Sequence, residues 1–117
     1  MNTEIIAQRL REFAKDRDWE QFHNPKNLAM AIGGETGELL EIFQWLTFEE
    51  AESLRENPEK KGKVQEEIAD IAIHLIRLSD LLGIDLEQVI EDKIKINEEK
   101  YPIEKAKGNA LKYSEFD

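Results

Sequence analysis

The sequence predicts an all-α fold, a helical bundle that is completed only when copies of the chain associate. Three observations carry this. Apolar residues recur at helical spacing through each long segment. No segment alternates apolar and polar residues as a half-buried strand would. The punctuation falls where helices begin and end, at Asn24-Pro25, at Asn57-Pro58 and at Gly83 followed by Asp85. At 117 residues the chain is long enough for one core and too short for two, so residues 1–117 are expected to form a single domain.

The first helix is expected from about Thr3 to Lys15, with Ile5, Ile6, Leu10 and Phe13 as its apolar face. A polar, aromatic loop follows, Asp16-Arg17-Asp18-Trp19-Glu20-Gln21-Phe22-His23-Asn24. Asn24 then caps a second helix over about Pro25–Leu46, because proline at the first helical position gives up only an amide that has no partner there. Thr47 caps a short helix from Phe48 to about Glu56, ended by Asn57-Pro58. The third long helix runs from about Glu59 to Leu82, and Gly83 stops it. Its expected core stripe is Val64, Ile68, Ile71, Leu75, Leu78 and Leu82. Asp85 caps a fourth helix ending near Lys100, ahead of Tyr101-Pro102. The tail from Ile103 to Asp117 has no sustained period. The second helix is apolar over more of its circumference than one short chain can cover, which points to a homodimer or homotetramer with helix faces buried between subunits.

Two acidic pairs interrupt these apolar stretches: Glu35-x-x-Glu38 in the second helix and Glu67-x-x-Asp70 in the third. Residues three apart share a helix face. Four carboxylates on two apolar helices repel one another and resist burial unless a cation sits among them, and a hard divalent ion bound by oxygen suits that set. The plain alternative for any single pair is a solvated face. Gly33, Gly34 and Gly37 surround the first pair. Each glycine inside a helix costs roughly 1 kcal/mol relative to alanine, so this concentration suggests close approach of another backbone or of a ligand.

Composition narrows the partners. The net charge is −10, with 26 acidic against 16 basic residues and no dense Lys/Arg cluster, which argues against polymeric nucleic acid. A small phosphorylated ligand stays compatible, since a metal can supply the positive charge. No apolar run approaches the roughly 18 residues that span a bilayer. The start, Met1-Asn2-Thr3-Glu4-Ile5, lacks a signal-peptide pattern. There are no cysteines, so disulfides and thiolate metal sites are excluded. No membrane partner is expected, and a cytoplasmic location follows by default.

The blocks Gly34-Glu35-Thr36-Gly37-Glu38-Leu39 and Glu66-Glu67-Ile68-Ala69-Asp70-Ile71 resemble the all-α nucleotide pyrophosphohydrolases of the MazG-like superfamily. The flanks resemble the dCTP pyrophosphatase branch: Asp18-Trp19-Glu20-Gln21-Phe22-His23-Asn24-Pro25-Lys26-Asn27-Leu28, Phe43-Gln44-Trp45, Lys93-Ile94-Lys95-Ile96-Asn97 with Tyr101-Pro102, and Lys112-Tyr113-Ser114-Glu115. The resemblance implies hydrolysis of a deoxynucleoside triphosphate between the α- and β-phosphates, with dCTP or a modified dCTP as the leading substrate. It implies Mg²⁺, with Mn²⁺ as a substitute, held by Glu35, Glu38, Glu67 and Asp70. Glu38 is the favoured base for the attacking water, with Glu41 and Glu66 as supporting carboxylates.

Trp19, Gln21, Phe22 and His23 in the first loop, with Trp45, would form the base pocket. Taken alone, Trp45 reads first as ordinary core, and His23 as a residue satisfied by a loop hydrogen bond. Lys93 and Asn97, one turn apart with Lys100 and Tyr101 beyond, would hold the distal phosphates; a solvated basic patch is the alternative. Lys112 and Tyr113 would close over the site. One position departs from the branch: His74 stands where relatives tend to carry tyrosine, which opens the preference for cytosine and deoxyribose to question. His74 would stack or donate in the pocket, hydrogen-bond Asp70, or sit as a satisfied core histidine.

Two other substrate readings keep the fold and metal, with dUTP or a broad set of triphosphates in place of dCTP. A non-catalytic reading makes the carboxylates a structural metal site in a helical interaction module, with Trp19 and Trp45 as interface anchors. A di-iron bundle is rejected, because the one Glu-x-x-His match, Glu20 to His23, falls in a loop.

Overall fold

The computed structural model describes residues 1–116; Asp117, the last residue of the expected tail, lies outside the described residues. The described residues are helical with no strand. The elements are α1 (Thr3–Asp16), α2 (Pro25–Phe43), α3 (Phe48–Ser53), α4 (Pro58–Leu81), α5 (Leu86–Lys100) and α6 (Ile103–Ala106). Single 3₁₀ turns occupy Leu54–Glu56 and Tyr113–Glu115. No helix is long and apolar enough to cross a membrane among the described residues.

Local chemistry sets the boundaries. The side chains of Asn2, Asn24, Asn57 and Asp85 each accept from the amide three residues on, satisfying a donor that the helix leaves orphaned. Thr47 forms a full capping box with Glu50: each side chain accepts from the other's amide. This explains why α2 stops at Phe43 and not at the expected Leu46. Thr47 must be extended to cap α3, so Gln44–Leu46 are used in the turn between them. Gly83 ends α4 with φ +67°, where glycine carries no steric cost, and the Gly83 and Ile84 amides bond back to Asp80 and Ser79. The tail is more structured than its lack of period suggests, since it holds α6 and the 3₁₀ turn.

Two compact units are formed, Met1–Ile84 and a second starting at Asp85. In the first, α4 is the central element, with α2 and α1 packed on it. The buried apolar residues are Ala7, Ala14, Leu28, Leu54 and Ile76. Alanines at the contact let α1 approach closely, and the expected α1 face is only partly covered: Ile6 and Leu10 are half-buried, whereas Ile5 and Phe13 are exposed. The α4 stripe is corrected in the same way. Ile68, Leu75 and Leu82 are exposed, and the most buried α4 side chains are Ile76 and Arg77. The helical period was right, but α1 and α2 are too few to surround α4, so part of the apolar stripe stays uncovered. Trp45 and Phe48 are 85% and 93% exposed, which removes the reading of Trp45 as core of this chain.

In the second unit, Tyr101 meets Tyr113 and Phe116 edge-on at 6.4 and 5.7 Å between ring centroids. The Lys100 ammonium lies 4.6 Å above the Tyr113 ring.

Candidate active site

The packing of α2 on α4 brings the two acidic motifs face to face. One oxygen from each of Glu35, Glu38 and Glu67 lies within 4.8 Å of the others. Glu35 and Glu67 are half-buried and Glu38 is exposed. Glu35 Oε2 and Glu67 Oε2 are sealed from solvent with no hydrogen-bond donor in reach. Such orphaned anionic oxygens are expensive and call for a proton or a cation. The Glu67 carboxyl is accordingly pushed up to about 7, first by sharing a proton with Glu35, then by desolvation and by the charge of Glu38. The donor set is all oxygen, which suits a hard divalent ion such as Mg²⁺. Asp70 is half-buried one turn along α4 from Glu67 and falls outside this close group of three.

A cleft of about 590 Å³ opens between α2 and α4, lined by Glu38, Glu41, Ile42, Lys60, Lys63, Glu66 and Glu67. Glu41 and Glu66 therefore sit where supporting carboxylates would be useful. Lys60 and Lys63 were not anticipated, although their spacing to Glu67 (seven and four residues) places all three on one helix face. Substitution of Gly33, Gly34 or Gly37 by a residue with Cβ would meet nothing within 4 Å. The expected close approach therefore does not come from this chain's own backbone.

The aromatic loop is built on the end of α1. Asp18 takes a left-handed conformation, φ 55°, and the Trp19 amide reaches back to the Ala14 carbonyl at 2.8 Å, closing the helix. The Gln21 side chain donates to both the carbonyl and the carboxylate of Asp18 at 2.9 and 3.2 Å, so Gln21 shapes the loop. Trp19 packs edge-on between Phe13 and His23, with centroids 5.6 and 6.3 Å away. Phe22 is exposed, and its carbonyl accepts from Asn27 at the start of α2. His23 is held by Arg77 of α4, whose Nε donates to His23 Nδ1 at 3.3 Å. Its imidazole is held below the usual histidine range, chiefly by burial and then by the charges of Arg77 and His74. His74 donates from Nδ1 to the Asp70 carbonyl at 2.7 Å, so its link to Asp70 runs through the backbone and not through the carboxylate. Lys93, Asn97 and Tyr101 lie on or just after α5, in the second unit.

An all-α chain that sets an E-x-x-E helix against an E-x-x-D helix defines a class: this chain belongs to the MazG-like family, whose model matches residues 30–116. Its relatives narrow the class. It is 43% identical over 105 residues to the dCTP pyrophosphatase 1 of Bos taurus and 42% identical over the same length to that of Homo sapiens. Each match covers 90% of this chain, and the chain spans 62% of the length of those relatives. The crystal structure of a pyrophosphatase from Archaeoglobus fulgidus superimposes with a TM-score of 0.76 at 43% identity, covering 85% of this chain and 91% of that one. The resemblance read from the motifs and flanks is thereby borne out at the level of the family and branch.

Proposed function

We propose that the protein is a Mg²⁺-dependent nucleoside triphosphate pyrophosphohydrolase, with dCTP or a modified dCTP as substrate and dCMP and pyrophosphate as products. The observation that carries this reading is the pair of buried, unpartnered oxygens on Glu35 and Glu67, facing each other across α2 and α4 beside an open cleft. Similarity to proteins named dCTP pyrophosphatase 1 supports the substrate.

Glu35, Glu38 and Glu67 would hold the ion, with Asp70 as a further ligand, and Mn²⁺ would substitute for Mg²⁺. When bound, the ion neutralises phosphate charge and makes the attacking water more acidic. Glu38 is the exposed member of the group and lines the cleft, which suits it to accept a proton from that water. The water oxygen bonds to one phosphorus of the α–β bridge, the bond from that phosphorus to the bridging oxygen breaks, and the other fragment leaves with the bridging oxygen and its electron pair, giving dCMP and pyrophosphate. Trp19, Phe22, His23, Trp45 and His74 would contact the nucleoside, and Gln21 would hold the loop that carries them. Lys93, Asn97 and Tyr101 would hold the phosphates.

The uncovered apolar side chains Ile68 and Leu75 of α4, with Phe48, support assembly as a homodimer or homotetramer. Residues 1–117 would act in it as one catalytic domain on the cytoplasmic nucleotide pool.

The test is steady-state pyrophosphate release from dCTP, 5-methyl-dCTP, dUTP, dTTP and the purine triphosphates. Preference for the cytosine nucleotides is expected. Equal turnover of all would replace this reading with a broad-specificity enzyme, and dUTP preference with a dUTP-directed one.

A further inference from the structure

We infer that Arg77 is a positioning residue for substrate binding, which locks His23 in the Nε2–H tautomer and so gives the aromatic loop a permanent hydrogen-bond donor. This rests on the nucleotide-binding reading above for its consequence, but not for its geometry. Arg77 is the one buried charged side chain among the described residues, 6% exposed, and the chemistry proposed for the carboxylates does not use it. A guanidinium is buried only at a cost that its contacts must offset. Arg77 has two: its Nη1 lies 3.6 Å from Asp80 Oδ2, and its Nε donates to His23 Nδ1. Asp80 is shared, because Arg11 of α1 donates to the same oxygen at 2.8 Å. The contact to His23 is therefore the more particular use of Arg77.

Its chemical consequence is definite. Arginine keeps its protons in proteins, so Nε is always a donor and Nδ1 must present its lone pair. A neutral imidazole with an accepting Nδ1 carries its proton on Nε2, and a protonated ring would set N–H against N–H. His23 Nε2 has no hydrogen-bond partner among the described residues and is not sealed from solvent. The His23 amide is also tied to the Trp19 and Glu20 carbonyls, so the ring is fixed from both ends. Arg77 thereby makes His23 a donor for an acceptor atom of the substrate; on a cytosine these are ring N3 and carbonyl O2. His74, whose Nδ1 donates to a carbonyl, has the opposite tautomer.

The chain has only two histidines, which makes the test direct. In protein labelled with ¹⁵N-histidine, long-range ¹H–¹⁵N correlation without nucleotide should show one Nε2–H ring and one Nδ1–H ring, with His74→Gln removing the second. An Nδ1–H or mixed His23 in the wild type would overturn the inference. In Arg77→Met the His23 ring should become a tautomer mixture, and KM for dCTP should rise about three- to tenfold with kcat little changed, as expected for a weakened neutral hydrogen bond. An unchanged tautomer or an unchanged KM in a folded Arg77→Met would contradict it. If the wild type turns over no triphosphate, the proposed function falls, while the wild-type spectrum still decides the tautomer.

Discussion

Glu35 on α2 and Glu67 on α4 turn carboxylate oxygens to within 4.8 Å of one another, and the Oε2 of each is sealed from solvent with no hydrogen-bond donor in reach. This arrangement holds the Glu67 carboxyl up at about 7, so a proton and a cation would compete for it. The pH behaviour of the protein follows from that competition.

The Glu67 carboxyl ionises near 4.5 when free and at about 7 in the metal-free fold. The folded state therefore binds more protons than the unfolded state between those values. The stabilisation is complete below pH 4.5 and is lost as pH rises through 7. Metal-free Glu67→Gln should lack that loss, so its melting temperature relative to wild type should climb from pH 4.5 to 7.5. Calorimetry in chelator checks this. For wild type, Mg²⁺ binding should release protons below pH 7 and weaken as the pH falls, which titration calorimetry in buffers of different ionisation enthalpy reads directly.

Glu38 adds negative charge beside Glu67 and is itself open to the cleft. Glu38→Gln should lower turnover by about 10²-fold or more, the scale of a lost general base. Its helical circular dichroism should persist, and its metal-free stability should not fall, because a repulsion has been removed. A variant that unfolds while losing activity would support the structural-metal reading instead.

Trp45, 85% exposed, contributes little to the stability of a single chain. Trp45→Ala should change the unfolding free energy by no more than about 0.5 kcal/mol. If its ring stacks on the base, KM should rise by about 5- to 150-fold, from a stacking contribution of roughly 1–3 kcal/mol. Dissociation on dilution in sedimentation experiments, with KM unchanged, would assign Trp45 to a subunit contact.

Leu28, 3% exposed at the start of α2, anchors the helix that carries Glu35 and Glu38. Leu28→Ala should cost about 2–5 kcal/mol in denaturant unfolding, the range for emptying a packed leucine site. A loss well under 1 kcal/mol would mean that α2 is held mainly from elsewhere.

Much of this was legible in the sequence because the signals are local. Asn24-Pro25, Asn57-Pro58, Thr47, Gly83 and Asp85 each act within a few residues of themselves, and the starts of α2 to α5 and the end of α4 follow them. Three of the four expected carboxylates, Glu35, Glu38 and Glu67, do come together, because three-residue spacing fixes a helix face; Asp70 lies outside that close group. What escaped depends on partners far along the chain. Arg11 meets Asp80 across 69 positions and Arg77 meets His23 across 54, and neither pair leaves a periodic trace. The α4 stripe shows the same limit: spacing marked Ile68 and Leu75 as apolar, but only the number of neighbouring helices decides what is covered.

If Glu35, Glu38 and Glu67 hold a divalent ion for cleavage of an α–β phosphate bond, turnover should depend on that ion. Phosphorus NMR of dCTP with the purified protein, in Mg²⁺ and again in excess chelator, tests it most directly. Resonances of dCMP and pyrophosphate should grow only with the metal present. Orthophosphate with dCDP, or cleavage undiminished by chelator, would contradict it.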